Sequence, residues 1–122
     1  MTALEKIARL NEERYGLEFE RRFALDKLSE ELAEFADPKA DLYETVDALA
    51  DIIVIAAGEL RKLGYCPEKV LHETITEISL RVQDPAQAER WANGDRRPGE
   101  KWEKDRNAAV PYKAEYRHAM CR

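Results

Sequence analysis

The chain has 122 residues, of which 44% are hydrophobic and 37% are charged, and its formal net charge is -5. This length suits one domain rather than two, and the composition suits a compact protein built from amphipathic helices. The charge excludes the dominant basic face of a general nucleic-acid-binding protein, so we expect no nucleic acid as a partner.

Helical periodicity of the apolar residues predicts four helices. They span residues 3–14, 17–36, 41–62 and 67–82. Gly16 and Gly64 follow the first and third segments, and Pro38 follows the second, where its ring prevents the helix from continuing. Asp41 is the expected N-cap of the third helix, and Pro67 fits the first turn of the fourth.

The rest of the chain lacks a sustained period. Residues 86–92 are expected to hold one or two helical turns, and residues 93–111 form a loop or mobile arm, because they contain Asn-Gly and Pro-Gly pairs. No credible strand ladder is present, so the predicted fold class is all-α. Residues 1–122 are interpreted as a single domain, an antiparallel helical bundle in which 93–122 form a basic C-terminal arm.

The third helix carries an acidic stripe. Glu44, Asp47 and Asp51 lie within about 60° of one another at the helical period. Nearly opposite lies an apolar face, formed by Leu42, Val46, Leu49, Ile53, Ala57 and Leu60. Ile55 and Gly58 continue the acidic stripe, so the second half of the helix is apolar on both sides, as in a helix buried between neighbours.

The second helix has a matching acidic feature. Glu30, Glu31 and Glu34 lie within about one turn, and Glu31 occupies an otherwise apolar stripe. Because the link over residues 37–40 is short, the two helices should be antiparallel neighbours whose acidic sets face each other. A solvated helix face is the alternative explanation of these glutamates.

Facing carboxylates in a half-buried cleft require compensation. Either their pKa values rise and they become neutral, or a cation balances their charge. Lys27 lies one turn before Glu31, but few other basic residues are nearby in the sequence. A divalent metal is the better partner, and oxygen ligands without His or Cys favour Mg²⁺ or Mn²⁺ over Zn²⁺.

The charges are distributed unevenly along the chain. Residues 1–62 contain 9 basic and 15 acidic side chains, whereas residues 90–122 contain 9 basic and 5 acidic ones. This pattern fits a protein that holds cations in one place and phosphates in another. Ordinary surface charge explains it equally well.

Two features predict a cytoplasmic protein without a membrane partner. Cys66 and Cys121 are far apart in the sequence and form no CxxC motif, so reduced thiols are expected. The N-terminal segment lacks the apolar core of a secretory signal, and the longest uncharged apolar run, residues 52–58, is too short to span a bilayer.

The acidic motifs resemble the signature of a known enzyme superfamily. EELAE at 30–34 and ETVDALAD at 44–51, followed by an apolar run that ends at Gly58, are similar to the ExxE and ExxD motifs of the all-α nucleoside triphosphate pyrophosphohydrolases. That superfamily includes the MazG-like proteins, the dimeric dUTPases and phosphoribosyl-ATP pyrophosphohydrolase. The resemblance covers roughly residues 17–82.

The resemblance implies hydrolysis of a nucleoside triphosphate, preferably a deoxynucleotide, between the α and β phosphates, with Mg²⁺ or Mn²⁺ as cofactor. The implied metal ligands are Glu31, Glu34, Glu44, Asp47 and Asp51. Glu30 or Glu31 would orient or deprotonate the attacking water. The second acidic pair is either Glu44 with Asp47 or Asp47 with Asp51, and spacing leaves both open.

The C-terminal arm adds a second resemblance. GEKWEKD at 99–105 and YKAEY at 112–116 are similar to the GKWxKD-like and YKADY-like stretches of some members, from which Glu100 and Glu115 depart. Basic side chains would contact the phosphates, and aromatic ones would cover the base. The implied substrate-binding residues are Lys27, Lys101, Trp102, Lys104, Arg106, Tyr112, Lys113 and Tyr116. A solvated C-terminus explains the arm residues equally well.

Four helices make a thin core for a monomer. We therefore expect a homodimer or homotetramer whose interface completes the bundle. Phosphoribosyl-ATP pyrophosphohydrolase is the alternative enzyme. A helical module that binds nucleotide or metal without turnover, or that only dimerises, is the alternative of another class.

Overall fold

The computed structural model describes residues 1–109 and 112–121. Over these residues the chain forms five α-helices and no β-strand, which confirms the all-α fold class. The helices are α1 (Ala3–Tyr15), α2 (Arg21–Ala36), α3 (Leu42–Lys62), α4 (Pro67–Ser79) and α5 (Pro85–Ala92). None of these five is both long and apolar enough to cross a membrane. Val110, Pro111 and Arg122, part of the predicted arm, lie outside the described residues.

Local capping explains where most helices begin. The Thr2 hydroxyl accepts a hydrogen bond from the backbone N–H of Glu5 at 3.2 Å at the start of α1. The Asp41 carboxylate accepts one from the backbone N–H of Glu44 at 2.8 Å at the start of α3. Each bond satisfies a backbone donor that has no partner inside the helix, so the expected N-cap of α3 is confirmed.

Two helix boundaries differ from the sequence-based expectation by more than one residue. Helix α2 begins at Arg21 rather than at residue 17, after a non-helical segment that follows Gly16, whose φ is +81°. Helix α4 ends at Ser79 rather than at residue 82. The reason is non-local, because residues 82–84 form an antiparallel bridge with residues 103–105.

The chain packs as two units. The first contains Met1–His72 and the C-terminal residues from Tyr116, and the second contains Glu73–Glu115. In the first unit, α3 packs against both α1 and α2. An antiparallel bridge between Tyr65 and Met120 joins the C-terminal residues to the turn after α3.

Small residues form the core of the first unit. Its buried apolar side chains are Ala8, Ala24, Ala48, Ala57, Val70 and Ala119. Small side chains let helices approach closely, so α3 packs through its alanine-rich side. The apolar face predicted for α3 is largely exposed over its first three turns: Leu42 is 80% exposed and Ile53 is 55% exposed. The expected burial of this helix on both sides is therefore incomplete within one chain.

A buried glutamine anchors the loop of the second unit. Gln87 in α5 is 2% exposed, and its Nε2 donates hydrogen bonds to the backbone oxygen of Lys101 at 2.8 Å and to Glu100 at 3.1 Å. Its Oε1 accepts one from the backbone N–H of Glu103 at 2.8 Å. Glu100 also pairs with Arg90. The segment predicted as a loop is therefore a loop with a fixed path, and Glu100 is part of what fixes it.

Candidate metal centre

Three carboxylates from two helices converge in the first unit. Glu31 and Glu34 lie one turn apart on α2, and Asp51 lies on the neighbouring α3. One oxygen from each of the three side chains lies within 4.8 Å of the others. Glu34 is exposed, whereas Glu31 and Asp51 are half-buried. The antiparallel packing of α2 and α3 thus brings acids of the two sequence motifs to one place.

Glu31 is the least satisfied member of this group. Its Oε2 is buried and has no hydrogen-bond partner among the described residues. Burial, a hydrogen bond with Glu34 and the nearby charges of Asp51 and Asp47 raise the pKa of Glu31 to about 7. Such an oxygen is costly to bury unless a proton or a cation balances it.

Asp51 shares this electrostatic environment. Burial is the main cause that raises the pKa of its carboxyl group, and the charges of Asp47 and Glu34 act in the same direction. A hydrogen bond with Glu31 partly opposes the rise. The donor set contains only carboxylate oxygens, which is the chemistry that Mg²⁺ and Mn²⁺ prefer. Glu31, Glu34 and Asp51 therefore fit a divalent cation of that kind.

The remaining predicted acids lie outside the three-residue group. Asp47, one turn before Asp51 on α3, is exposed, yet its charge acts on both Glu31 and Asp51. Glu44 lies in the first turn of α3, and Glu30 is exposed on α2. Of the two pairings left open by spacing, the geometry brings Asp51 rather than Glu44 to Glu31.

A pocket of about 280 Å³ opens beside the two half-buried acids. Glu31 and Asp51 form part of its wall, and Arg14, Lys27 and Lys62 supply positive charge in the same wall. Opposite charges that share one small cleft can hold a ligand carrying both anionic groups and bound cations. The arrangement suits a metal-complexed phosphate chain.

Two aromatic rings hold the cationic side of this pocket. The Lys62 side chain is only 5% exposed, and its Nζ lies 3.1 Å from Glu59 Oε1 and 4.7 Å from the centroid of the Phe23 ring. Lys27 Nζ lies 4.7 Å from the ring centroid of Tyr15 and 5.6 Å from that of Phe23. Contacts of this kind between a cation and an aromatic face are attractive and favour a defined lysine position.

Close packing of α1 on α3 creates this wall. Asn11 Nδ2 donates a hydrogen bond to the backbone oxygen of Val54 at 3.0 Å. A Cβ at Gly58 would stand 2.7 Å from Asn11 Nδ2 and 2.9 Å from Asn11 Cβ, so glycine is required for this approach. The approach of α1 places Arg14 and Tyr15 at the pocket.

Sequence reasoning missed most of the pocket wall. The polar and aromatic wall residues that it did not predict are Asn11, Arg14, Tyr15, Phe23, Glu59 and Lys62. Gly58, a glycine inside an apolar helix, was the available signal of a close helix approach. It does not reveal which helix approaches.

The predicted residues of the arm are divided between the two units. Lys101, Trp102, Lys104, Arg106, Tyr112 and Lys113 belong to the second unit, and Tyr116 belongs to the first. None of these seven is among the residues that line the 280 Å³ pocket. Trp102, Lys104, Tyr112 and Lys113 line a different pocket of about 410 Å³ within the second unit. Among the predicted substrate-binding residues, Lys27 lines the pocket that contains Glu31 and Asp51.

Comparisons with known proteins give no match, whether with protein-family models, with curated proteins or with solved structures.

Proposed function

We propose that this protein is a metal-dependent nucleoside triphosphate pyrophosphohydrolase that converts a (deoxy)nucleoside triphosphate to the monophosphate and pyrophosphate. The observation that carries the proposal is the buried Glu31 Oε2, which has no hydrogen-bond partner in the described part of the chain and whose carboxyl group shares one pocket with basic residues. The resemblance of residues 30–34 and 44–51 to the ExxE and ExxD motifs of the all-α pyrophosphohydrolases supports the same assignment.

Glu31, Glu34 and Asp51 would hold Mg²⁺, or Mn²⁺ in its place. A divalent cation bound there supplies positive charge opposite the phosphates and makes a nearby water more acidic. Asp47 is not one of these three ligands, but its negative charge acts on Glu31. The acids therefore attract the cation, and the cation removes the cost of keeping them charged.

Lys27, Lys62 and Arg14 would bind the phosphate oxygens. Lys62 is well suited to this, since its buried ammonium is held in place by Glu59 and Phe23. A fixed cation loses little side-chain entropy when a phosphate binds. Tyr15 and Phe23 offer apolar faces at the same end of the pocket for the sugar or base.

The two carboxylate oxygens of Glu31 can take different roles. One would contribute to the cation site, and Oε2, which has no partner within residues 1–109 and 112–121, would accept a proton from the attacking water. The water oxygen then bonds to the α-phosphorus, and the bridging oxygen leaves with pyrophosphate. Glu30 is the less suitable base because it is exposed and does not line the pocket.

A second copy of the chain is part of this proposal. Leu42, Val46, Leu49 and Ile53 form one stripe on α3, and each is at least 46% exposed. An apolar stripe of this length on one helix is typical of a surface that another helix covers. A homodimer or homotetramer would bury this stripe. The double variant Val46→Glu with Ile53→Glu should therefore be a monomer by analytical sedimentation. An unchanged mass would contradict this interface.

A substrate panel tests the activity. Each dNTP, each NTP and phosphoribosyl-ATP is incubated with the protein and Mg²⁺ or Mn²⁺, and released pyrophosphate and monophosphate are measured. We expect equal amounts of the two products from at least one nucleotide, and none in EDTA. Release from phosphoribosyl-ATP alone would support the alternative enzyme.

Metal binding provides a readout that is independent of turnover. We expect Mg²⁺ to raise the melting temperature of the unmodified protein but not of Asp51→Asn. The exposed Asp26→Asn on α2 is the matched control and should keep the metal response. A metal response without any product would support a non-catalytic binding module, and no response with no product would contradict the whole proposal.

A further inference from the structure

The second unit contains a pocket of its own, which the proposed hydrolysis does not use. Its volume is about 410 Å³, within the usual range for small-molecule sites. Leu80 and Val82 supply apolar surface, and Trp102 and Tyr112 supply aromatic rings. This combination of flat apolar walls and a moderate volume suits a ligand with an aromatic ring.

The same pocket is rich in positive charge. Arg81, Lys104 and Lys113 line it, and among its described lining residues Glu77 is the one with a carboxylate. Glu77 already pairs with Arg81 at 3.8 Å. Among the described residues, Lys104 and Lys113 have no carboxylate within salt-bridge distance, so an anionic group on the ligand would find two uncompensated ammonium groups.

The backbone around the pocket is fixed by hydrogen bonds. Asp84 N–H donates to the backbone oxygen of Glu103 at 2.9 Å, and Asp105 N–H donates to that of Val82 at 2.8 Å. Gln87 holds the loop on both sides of Trp102, through its bonds to Lys101 and Glu103. These bonds fix the backbone path at Trp102 and Lys104 without a bound ligand.

We propose that this second-unit pocket binds a nucleotide, with its base against Trp102 and its phosphate at Lys104 and Lys113. Every base has a π-face, so stacking on an exposed indole accepts different bases. Trp102 is 42% exposed and can offer that face. The site needs no divalent cation, because the pocket supplies the positive charge itself. It involves no step of the proposed hydrolysis.

Equilibrium binding in EDTA tests this site. The four deoxynucleoside monophosphates, inorganic phosphate and a short single-stranded oligonucleotide are the probes, measured by calorimetry. We expect monophosphates to bind more tightly than inorganic phosphate, and Trp102→Ala and Lys104→Ala each to weaken them by about tenfold or more. Trp102→Phe should restore most of the affinity, which separates stacking from folding.

Lys101→Ala is the matched control. It removes the same charge from the neighbouring residue, which does not line the pocket, and it should leave nucleotide affinity unchanged. Binding is measured in EDTA, where the proposed hydrolysis does not occur, so failure of the hydrolysis proposal and failure of this one can be distinguished. The inference would be overturned if no monophosphate binds, or if only the oligonucleotide binds. It would also be overturned if Lys27→Ala lowers the affinity and Lys104→Ala does not.

Discussion

Glu31 in the first unit and Glu100 in the second are both half-buried glutamates, yet their surroundings differ in every respect. Glu31 lies among other acids, one of its oxygens has no partner among the residues that the structure describes, and its pKa rises to about 7. Glu100 accepts hydrogen bonds from Arg90, from the backbone of Arg97 and from Gln87, which hold its pKa well below the usual range. Basic and amide partners thus balance the charge of Glu100 within its own unit, whereas the proposed divalent cation would balance the charge of Glu31.

The largest expected effect concerns activity. Glu31→Gln removes the proton acceptor and one ligand oxygen, so we expect pyrophosphate release to fall by at least about 100-fold. The helical circular dichroism should not change, because the neutral amide is the same size and relieves repulsion from Asp51 and Glu34. Glu13→Gln, an exposed acid on α1, is the control and should keep full activity. Retained activity in Glu31→Gln would contradict the role of Glu31 as proton acceptor and cation ligand.

The next effect concerns the scaffold of the second unit. Gln87→Leu leaves the backbone groups of Lys101 and Glu103 without their buried partner, which should lower the free energy of unfolding by about 2–3 kcal/mol. Urea unfolding measures this loss. Gln83→Leu removes a partly exposed amide that donates a hydrogen bond to Gln87 but holds neither of these two backbone groups, and it should cost clearly less. Equal costs would show that Gln87 does not anchor the loop.

The third prediction uses pH in the absence of metal. The pKa of Glu31 is higher in the folded protein than the usual 4.5. Between about pH 4.5 and pH 7 the unfolded chain therefore releases a proton that the folded protein keeps, and stability falls as pH rises. We expect about 1–2 kcal/mol less stability at pH 8 than at pH 5 from this group, after allowance for solvent screening.

Urea unfolding in EDTA at the two pH values measures this loss, and Glu31→Gln should remove that part of it. Added Mg²⁺ should stabilise the unmodified protein more at pH 8 than at pH 5, since the cation competes with the proton. Identical pH profiles for the two proteins would contradict the assignment of Glu31 as an unsatisfied acid.

The smallest effect is the opposite pH response of Glu100. Because its folded-state pKa is lowered, its contribution to stability is present above the usual pKa and is lost as pH falls through the folded value. Glu100→Gln should lower the melting temperature at pH 7. As pH falls below 4, the melting temperatures of the variant and the unmodified protein should become more similar. A difference that grows at low pH would mean that the pairing with Arg90 does not stabilise the loop.

Local periodicity was sufficient to predict the helices and the acidic residues of α2 and α3. Helix formation depends on neighbours three and four residues apart, so the sequence shows which side chains share a face. It placed Glu31 and Glu34 one turn apart on α2, and it placed Asp47 and Asp51 on one stripe of α3. The structure adds no acid to the candidate cation site that this pattern had not suggested.

Only the tertiary structure chose among these acids and supplied their surroundings. Whether Glu44 or Asp51 lies near Glu31 depends on how α2 and α3 pack along each other. Both residues lie on the same stripe of α3, so the helical period does not distinguish them. The basic and aromatic wall depends on α1 approaching α3 at Gly58, through Asn11, 47 residues earlier in the chain. Gln87 gains its role from backbone groups 14 and 16 residues away. These are packing contacts between distant segments, and their energies depend on the shape and charge of both partners, which no local pattern contains.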